Sequence, residues 1–306
     1  MRRIWPALLT AVVVVAGCGN DDDSSSRRSN PQAALQVVAT TTVVADFARV
    51  VGGDRVGVYG VLKPNVDPHD YEPAPADLDA MKRAKVIVMN GVGLENWLDD
   101  TISSSGTKAA IIDTSAGIVV RSGGGKERAD GDPHIWHDPR NAKLMVRTIA
   151  QAFSAADPDG ATTYATNLMA YTALLDALDT DIETQVAALT NRKLITNHDA
   201  FGYFVDRYGF EFIGSVIPSF DTSAELSAAE LRRLVDAIRT QGVKAVFSES
   251  SLPGKTARAI AREAKVTVVE GGDALYGDGL GKAGSDADTY LTMMRHNART
   301  IVTNLT

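Results

Sequence analysis

The sequence has a single cysteine, Cys18, among 306 residues. One cysteine cannot form an intramolecular disulfide, so the cross-links that usually stabilise exported proteins are absent. Basic residues are also in deficit. Without residues 1–17, which hold two arginines, 29 Lys and Arg remain against 38 Asp and Glu, a net charge of −9. A surface of this sign repels nucleic acid, so nucleic acid is excluded as a partner.

Motifs of common enzymes are missing too. The sequence has no His-Glu-x-x-His helix and no Gly-x-Ser-x-Gly elbow. Gly279, Gly281 and Gly284 match the spacing of a dinucleotide fingerprint, but no strand follows them to complete a βαβ unit. The Gly-Lys-Thr triplet at 254–256 lacks the glycine that a phosphate-binding loop needs five residues earlier, where Glu249 stands. We therefore interpret the first run as a mobile glycine loop and reject the second motif.

The N-terminus has the pattern of an export signal. Two arginines precede the apolar run 4–15, which is too short to span a bilayer. The sequence Val-Ala-Gly-Cys at 15–18 resembles the bacterial lipobox, in which the cysteine is lipidated and becomes the first mature residue. We predict a lipoprotein signal peptide at 1–17, lipidation of Cys18, and a disordered polar tether at 18–34. The alternative is an ordinary secretory signal with an incidental cysteine.

The rest of the chain divides into two lobes and a helix. Its length exceeds one average domain, and 44% hydrophobic residues are enough to bury real cores. Residues 161–189 contain no glycine or proline and repeat apolar residues at steps of three and four, which predicts one long helix with Asp157 as its N-cap. We place a linking helix at 157–191, an N-terminal lobe at 35–156 and a C-terminal lobe at 192–306.

Each lobe contains four short apolar runs separated by segments with helical spacing. This alternation is typical of βα units. We therefore predict an α/β fold of two lobes, each a four-stranded parallel sheet with flanking helices, joined by one long rigid helix. The predicted strands are residues 36–40, 56–62, 85–89, 109–113, 194–196, 210–217, 245–247 and 266–269.

Four side chains lie at places where such sheets bind ligands, the carboxyl ends of parallel strands. His69 is in a proline-rich loop after the second strand, and His134 lies between two prolines after the fourth. His198 follows the fifth strand and Asp273 follows the eighth. Prolines restrict the backbone around a side chain, and imidazole is the commonest side-chain metal ligand. Three imidazoles and one carboxylate could therefore converge across a cleft between the lobes.

Three other residues are weaker candidates. His137 could share a helical face with His134, and we interpret it as a residue at the rim of the site or behind the ligands. Glu249 ends a strand at the cleft edge, where it either supports a ligand or forms a structural salt bridge. His296 falls in the closing helix and is interpreted as a surface or packing residue.

These motifs resemble those of the metal-binding subunits of bacterial zinc and manganese ABC importers, cluster A-I of the substrate-binding proteins. The resemblance covers about residues 35–306. Its motifs are Asp-Pro-His at 67–69 with Tyr-Glu-Pro at 71–73, Pro-His-Ile-Trp at 133–136 with Asp-Pro at 138–139, His-Asp-Ala-Phe-Gly-Tyr-Phe at 198–204, and Asp-Ala-Leu at 273–275. The resemblance implies a metal ion held by His69, His134, His198 and Asp273, and delivery of that ion to a membrane permease driven by an ATPase.

We predict an extracytoplasmic, lipid-anchored, monomeric Zn²⁺-binding protein and no enzyme activity. Asp273 would fill the position that catalytic zinc keeps open. Three imidazoles with one carboxylate suit tetrahedral Zn²⁺, and the resemblance implies a glutamate in place of His198 in manganese members. The loop 121–132 lacks the histidine cluster of the zinc-specific pattern. Mn²⁺ as cargo therefore remains an alternative, followed by a zinc hydrolase and a surface adhesin.

Overall fold

The computed structural model describes residue 30 and residues 32–122, 131–224 and 227–306. The predicted signal peptide, the lipidation site Cys18 and most of the tether lie outside the described residues, as does most of the loop 121–132. Within the described ranges, no helix is both long enough and apolar enough to cross a membrane.

The N-terminal lobe is built on a four-stranded parallel sheet, as predicted. The strands are β1 (Leu35–Ala39), β2 (Val56–Gly60), β3 (Val86–Met89) and β4 (Ala110–Asp113). Their order in the sheet is β2-β1-β3-β4, so β1 and β3 are central. Adjacent residues of β1 enter different cores, Val37 on one face and Val38 on the other, because side chains alternate along a strand.

Helices cover both faces of this sheet. They are α1 (Thr42–Gly52), α2 (Pro75–Arg83), α3 (Leu98–Ser105) and α4 (Pro139–Ala156). The side chains of α1 and α4 pack with Val37, whereas those of α2 and α3 pack with Val38. The carboxyl ends of the strands are thereby left to the loops.

The long helix is present as α5 (Ala161–Ala187), 27 residues that span about 40 Å. Its buried stripe packs against α1 and α4. Asp157 is not its N-cap, contrary to the sequence expectation. A short 3₁₀ turn, Pro158–Gly160, separates α4 from α5, and Gly160 caps the latter. The Asp157 carboxylate instead accepts hydrogen bonds from Arg55 and from the Tyr164 hydroxyl, so it fastens the α4–α5 corner.

The second lobe repeats the alternation of strands and helices. Its strands are β5 (Lys193–His198), β6 (Glu211–Ile217), β7 (Ala245–Phe247) and β8 (Thr267–Val269), and its helices are α6 (Gly202–Tyr208), α7 (Ala228–Gln241), α8 (Lys255–Ala264) and α9 (Tyr290–Leu305). All strand pairing is parallel, but hydrogen bonds join the strands as two pairs, β5 with β6 and β7 with β8. β5 lies beside β7, so the four strands share one layer.

The last helix returns to the first lobe. α9 packs against α1 and α5, where the rings of Phe47 and Tyr290 lie 4.8 Å apart. The Tyr290 backbone N–H donates to Asp46, and the Tyr290 hydroxyl donates to the Trp136 carbonyl at 2.7 Å. The helix α9 is therefore tied to N-terminal elements, while the lobe boundaries 35–156, 157–191 and 192–306 remain predictions.

Candidate metal centre

His69 lies in the loop that follows β2. Its backbone N–H donates to Asp67 Oδ1 at 2.9 Å, and the Trp97 indole donates to the neighbouring Pro68 carbonyl at 3.0 Å. The second oxygen of Asp67 accepts a hydrogen bond from the Thr222 hydroxyl at 2.6 Å. Asp67 therefore connects the His69 loop to a segment of the second lobe.

His134 lies in the turn before the short 3₁₀ helix Ile135–His137. Asp132 Oδ1 lies 3.0 Å from the His134 backbone nitrogen and 2.8 Å from its ring Nδ1. The other oxygen of Asp132 forms an ion pair with Arg121 at 2.7 Å. Asn90 donates to the Pro133 carbonyl at 2.9 Å and fixes the preceding residue. With Nδ1 engaged, Nε2 is the nitrogen left to face the cleft.

His198 is the last residue of β5, and Glu249 comes two residues after β7. The Glu249 carboxylate accepts from the His198 backbone N–H at 2.9 Å, and its two oxygens lie 2.9 and 2.8 Å from Nδ1. This repeats the arrangement around His134. A carboxylate behind each imidazole fixes the ring and its tautomer, as is common for metal-binding histidines.

The nitrogens of these three histidines surround the carboxylate of Asp278. Asp278 Oδ1 lies 3.2 Å from His198 Nε2, 3.3 Å from His134 Nε2 and 3.8 Å from His69 Nε2. The four ligand atoms lie within 4.8 Å of one another, and all four residues are buried. Both Asp278 oxygens and both His69 ring nitrogens lack a hydrogen-bond partner among the described residues. This group could hold a metal ion.

The structure does not bring Asp273 into this group, which corrects the sequence expectation. Asp273 ends an exposed 3₁₀ turn, Gly271–Asp273, directly after β8. The chain needs five more residues to reach the histidines, and the carboxylate that arrives there is that of Asp278. Gly277 allows this approach, because a Cβ at that position would collide with the Glu249 carboxylate. Glycines lie on both sides of Asp278, but in the sequence they are indistinguishable from a mobile loop.

The charges of the group attract a cation. Burial alone would lower the pKa of His134, but the carboxylates of Asp132 and Asp278 raise it to about 9. Burial also opposes the charge on His198, yet Asp278 and Glu249 raise its pKa well above the usual value. Burial would raise the pKa of Asp278, but His198, His134 and His69 hold it well below its usual range. Protons on the imidazoles therefore balance the carboxylates until a cation replaces them.

The three weaker candidates from the sequence lie outside the group of four proposed ligands. His137 is buried and outside the group, and its Nε2 donates to the Gly277 carbonyl at 2.8 Å. Burial and the charge on His134 lower its pKa to about 3, so it is neutral. His296 is a packing residue rather than a surface residue, with Nε2 donating to the Ala274 carbonyl at 3.0 Å. Glu249 contacts His198, as described above.

Two α/β lobes with a joining helix and a buried group of three histidines and one aspartate define a class, the metal-binding substrate-binding proteins of ABC importers. The chain belongs to the family described as "Zinc-uptake complex component A periplasmic", whose model matches residues 37–304. Members of this family bind solutes for ABC transporters and are not enzymes.

Individual relatives agree with this assignment. The chain is 32% identical over 267 residues to the zinc-binding protein TroA of Treponema pallidum, with 86% of each chain covered. It is 30% identical over 266 residues to the manganese-binding lipoprotein MntA of Halalkalibacterium halodurans, again with 86% of each covered. The solved structure of TroA from Treponema pallidum superposes with a TM-score of 0.81 at 29% identity, covering 89% of this chain and 99% of that chain.

Proposed function

We propose that this protein is an extracytoplasmic, monomeric Zn²⁺ carrier that captures the ion between its lobes and delivers it to an ABC permease and its ATPase. The proposed ligands are Nε2 of His69, His134 and His198 and the carboxylate of Asp278. The observation that carries the proposal is the buried convergence of these four atoms within 4.8 Å. Zinc is the cargo in this proposal, so the site binds it reversibly.

The donor set favours Zn²⁺ over Mn²⁺. Three imidazole nitrogens and one carboxylate make a borderline-soft site for four-coordinate Zn²⁺, whereas Mn²⁺ prefers more oxygen ligands. At mixed nitrogen and oxygen sites the divalent series also places Zn²⁺ above Mn²⁺ in affinity. Asp132 and Glu249 support metal binding by these rings because they hold two of them with Nε2 toward the centre.

Manganese is the second candidate cargo, supported by the relative named as a manganese-binding lipoprotein. It would use the same four side chains, and Asp278 could supply both oxygens. The absence of a histidine cluster in the loop 121–132 is compatible with either metal. The two candidates therefore differ in affinity and coordination number at one site.

Relative affinity is the first prediction. Competition against a chelator of known affinity should show tighter binding of Zn²⁺ than of Mn²⁺ to the wild-type protein. His198→Glu should reduce the difference in affinity between Zn²⁺ and Mn²⁺, because it replaces a nitrogen ligand by oxygen. Lys193→Glu is the control: it adds the same carboxylate at the other end of β5 and should leave the difference in affinity between the two metals unchanged. A wild-type site that holds Mn²⁺ as tightly as Zn²⁺ would replace zinc by manganese in this proposal.

Membrane anchoring through Cys18 is a further part of the proposal, supported by the lipobox-like sequence at 15–18. Two or more acyl chains would hold the protein at a membrane surface where one chain gives only weak binding. Intact-mass measurement of membrane-extracted protein should therefore show a mature chain that begins at an acylated Cys18. The Cys18→Ala variant should be lost from the membrane fraction. A mature chain with an unmodified Cys18, or one cleaved elsewhere, would contradict the prediction.

A further inference from the structure

His137 is a buried histidine whose ring makes one hydrogen bond among the described residues, to the residue before a proposed ligand. Its Nε2 donates to the Gly277 carbonyl at 2.8 Å, and its Nδ1 has no partner among the described residues. We propose that His137 is a positioning residue that holds Asp278 in place for the metal by fixing the Gly277 carbonyl. This inference rests on the proposed function, because it assigns a role at the same site.

Asp278 needs positioning through its backbone. Apart from the three imidazoles of the group itself, its two carboxylate oxygens have no partner among the described residues, so no side chain behind the carboxylate orients it as Asp132 orients His134. Gly277, the residue before it, has the widest conformational freedom of any residue type. The side chain of Asp278 is therefore only as well placed as the peptide that precedes it.

The hydrogen bond from His137 acts on that peptide. The Gly277 carbonyl and the Asp278 nitrogen belong to one planar unit, so fixing the carbonyl oxygen fixes the direction in which the chain enters Asp278. The flanking bonds are farther away. Asn297 holds both backbone groups of Tyr276, and the Thr42 hydroxyl accepts from Leu280 N–H at 2.8 Å. Of these contacts, only the one from His137 reaches the peptide that carries Asp278.

The surroundings of His137 hold its ring still. The ring lies 4.5 Å from that of Phe201 at an interplanar angle of 31°, and 5.5 Å from that of Trp136. Phe201 follows His198 by three residues, and Trp136 follows His134 by two. His137 thus lies between the segments of two proposed ligands and the peptide of a third. An apolar ring would pack there without leaving Nδ1 unpaired, so packing alone does not account for a histidine.

The test compares His137→Phe with His137→Gln. Phenylalanine keeps the aromatic packing and removes the donor, whereas glutamine keeps a donor N–H near the position of Nε2. Zn²⁺ affinity should fall about 10- to 100-fold in His137→Phe, the usual cost of losing an outer partner of a metal ligand. It should recover to within a few-fold of wild type in His137→Gln. The visible absorption of the Co²⁺-loaded protein should change in the first variant and return in the second.

His296→Phe is the matched control. His296 is also buried and also donates from Nε2 to a backbone carbonyl, that of Ala274, so this variant imposes a similar structural loss away from Asp278. It should bind Zn²⁺ like wild type even if its melting temperature falls. Wild-type affinity in His137→Phe, or equal losses in His137→Phe and His137→Gln, would overturn the inference. Failure of the wild-type protein to bind Zn²⁺ would instead overturn the proposed function.

Discussion

Asp278→Asn should lower Zn²⁺ affinity by more than about 100-fold, whereas Asp273→Asn should leave it unchanged. The loss should exceed the 10- to 100-fold cost that is typical of removing an outer partner, because it removes a ligand. Asp278 Oδ1 lies 3.2 to 3.8 Å from Nε2 of the three imidazoles, and it supplies the carboxylate of the four-residue group. The amide of asparagine cannot neutralise a bound cation. Asp273 is exposed and outside the group.

Chelator competition measures both variants under the same conditions, and the two substitutions are chemically identical. Asp273→Asn is therefore the control for any effect of removing one negative charge from the segment after β8. Equal affinity of the two variants would contradict the assignment of Asp278. A loss confined to Asp273→Asn would restore the ligand set expected from the sequence.

Zn²⁺ affinity should rise steeply with pH across the neutral range. In the metal-free protein, His134 has a pKa of about 9 and His198 a pKa well above its usual value, so both are protonated at pH 7. Each must lose its proton to bind the metal. Affinity should increase by about tenfold per pH unit for each displaced proton, and the contribution of His134 should end once the pH exceeds about 9. If the histidines had unperturbed pKa values, Zn²⁺ affinity would decrease only below about pH 6.5.

Stability of the metal-free protein should have the opposite pH dependence. The folded-state pKa of His134 is raised above its unfolded value, so the stabilisation from its carboxylate partners is complete below about pH 6.5 and is lost as the pH rises through about 9.

Titration calorimetry in buffers of different ionisation enthalpy counts the protons that Zn²⁺ displaces, and we expect about two at pH 7. Asp132→Asn should reduce this number. Release of no protons at pH 7 would contradict the protonated site.

Much of the site was predictable because its histidines follow strands. His69 comes after β2 and His198 ends β5, and the carboxyl ends of parallel strands gather at one edge. His134 lies between prolines, whose restricted backbone indicates a side chain with a fixed direction. These signals are local, so one sequence is enough to detect them.

The fourth position was not predictable by the same rule. Asp273 is the first aspartate after β8, but the 3₁₀ turn that it ends leaves it in solvent. The neighbours of Asp278 contact distant parts of the chain, the Gly277 carbonyl the His137 ring and the Leu280 N–H the Thr42 hydroxyl. The glycines beside it, Gly277 and Gly279, permit that path, yet by themselves they are indistinguishable from a mobile loop.

Two details of the fold could not be predicted from the sequence, for a related reason. Asp157 and Pro158 have the composition of a helix start, but Arg55 and Tyr164 engage the carboxylate, and the helix begins after Gly160. The strands of the second lobe were predicted from their apolar runs. Their hydrogen bonding as two pairs depends on contacts between strands. The register of β5 against β6 is irregular at Leu194 and Ile195, and no periodicity within a strand indicates this.

The proposed ligand set can be observed by anomalous diffraction at the zinc absorption edge. The crystals are grown from protein purified without chelators and loaded with one equivalent of Zn²⁺. We expect one strong peak between the lobes, with Nε2 of His69, His134 and His198 at about 2.0 to 2.1 Å and an Asp278 oxygen at about 2.0 to 2.2 Å. A peak bound by Asp273, a peak outside this group of four residues, or no ordered zinc at all would contradict it.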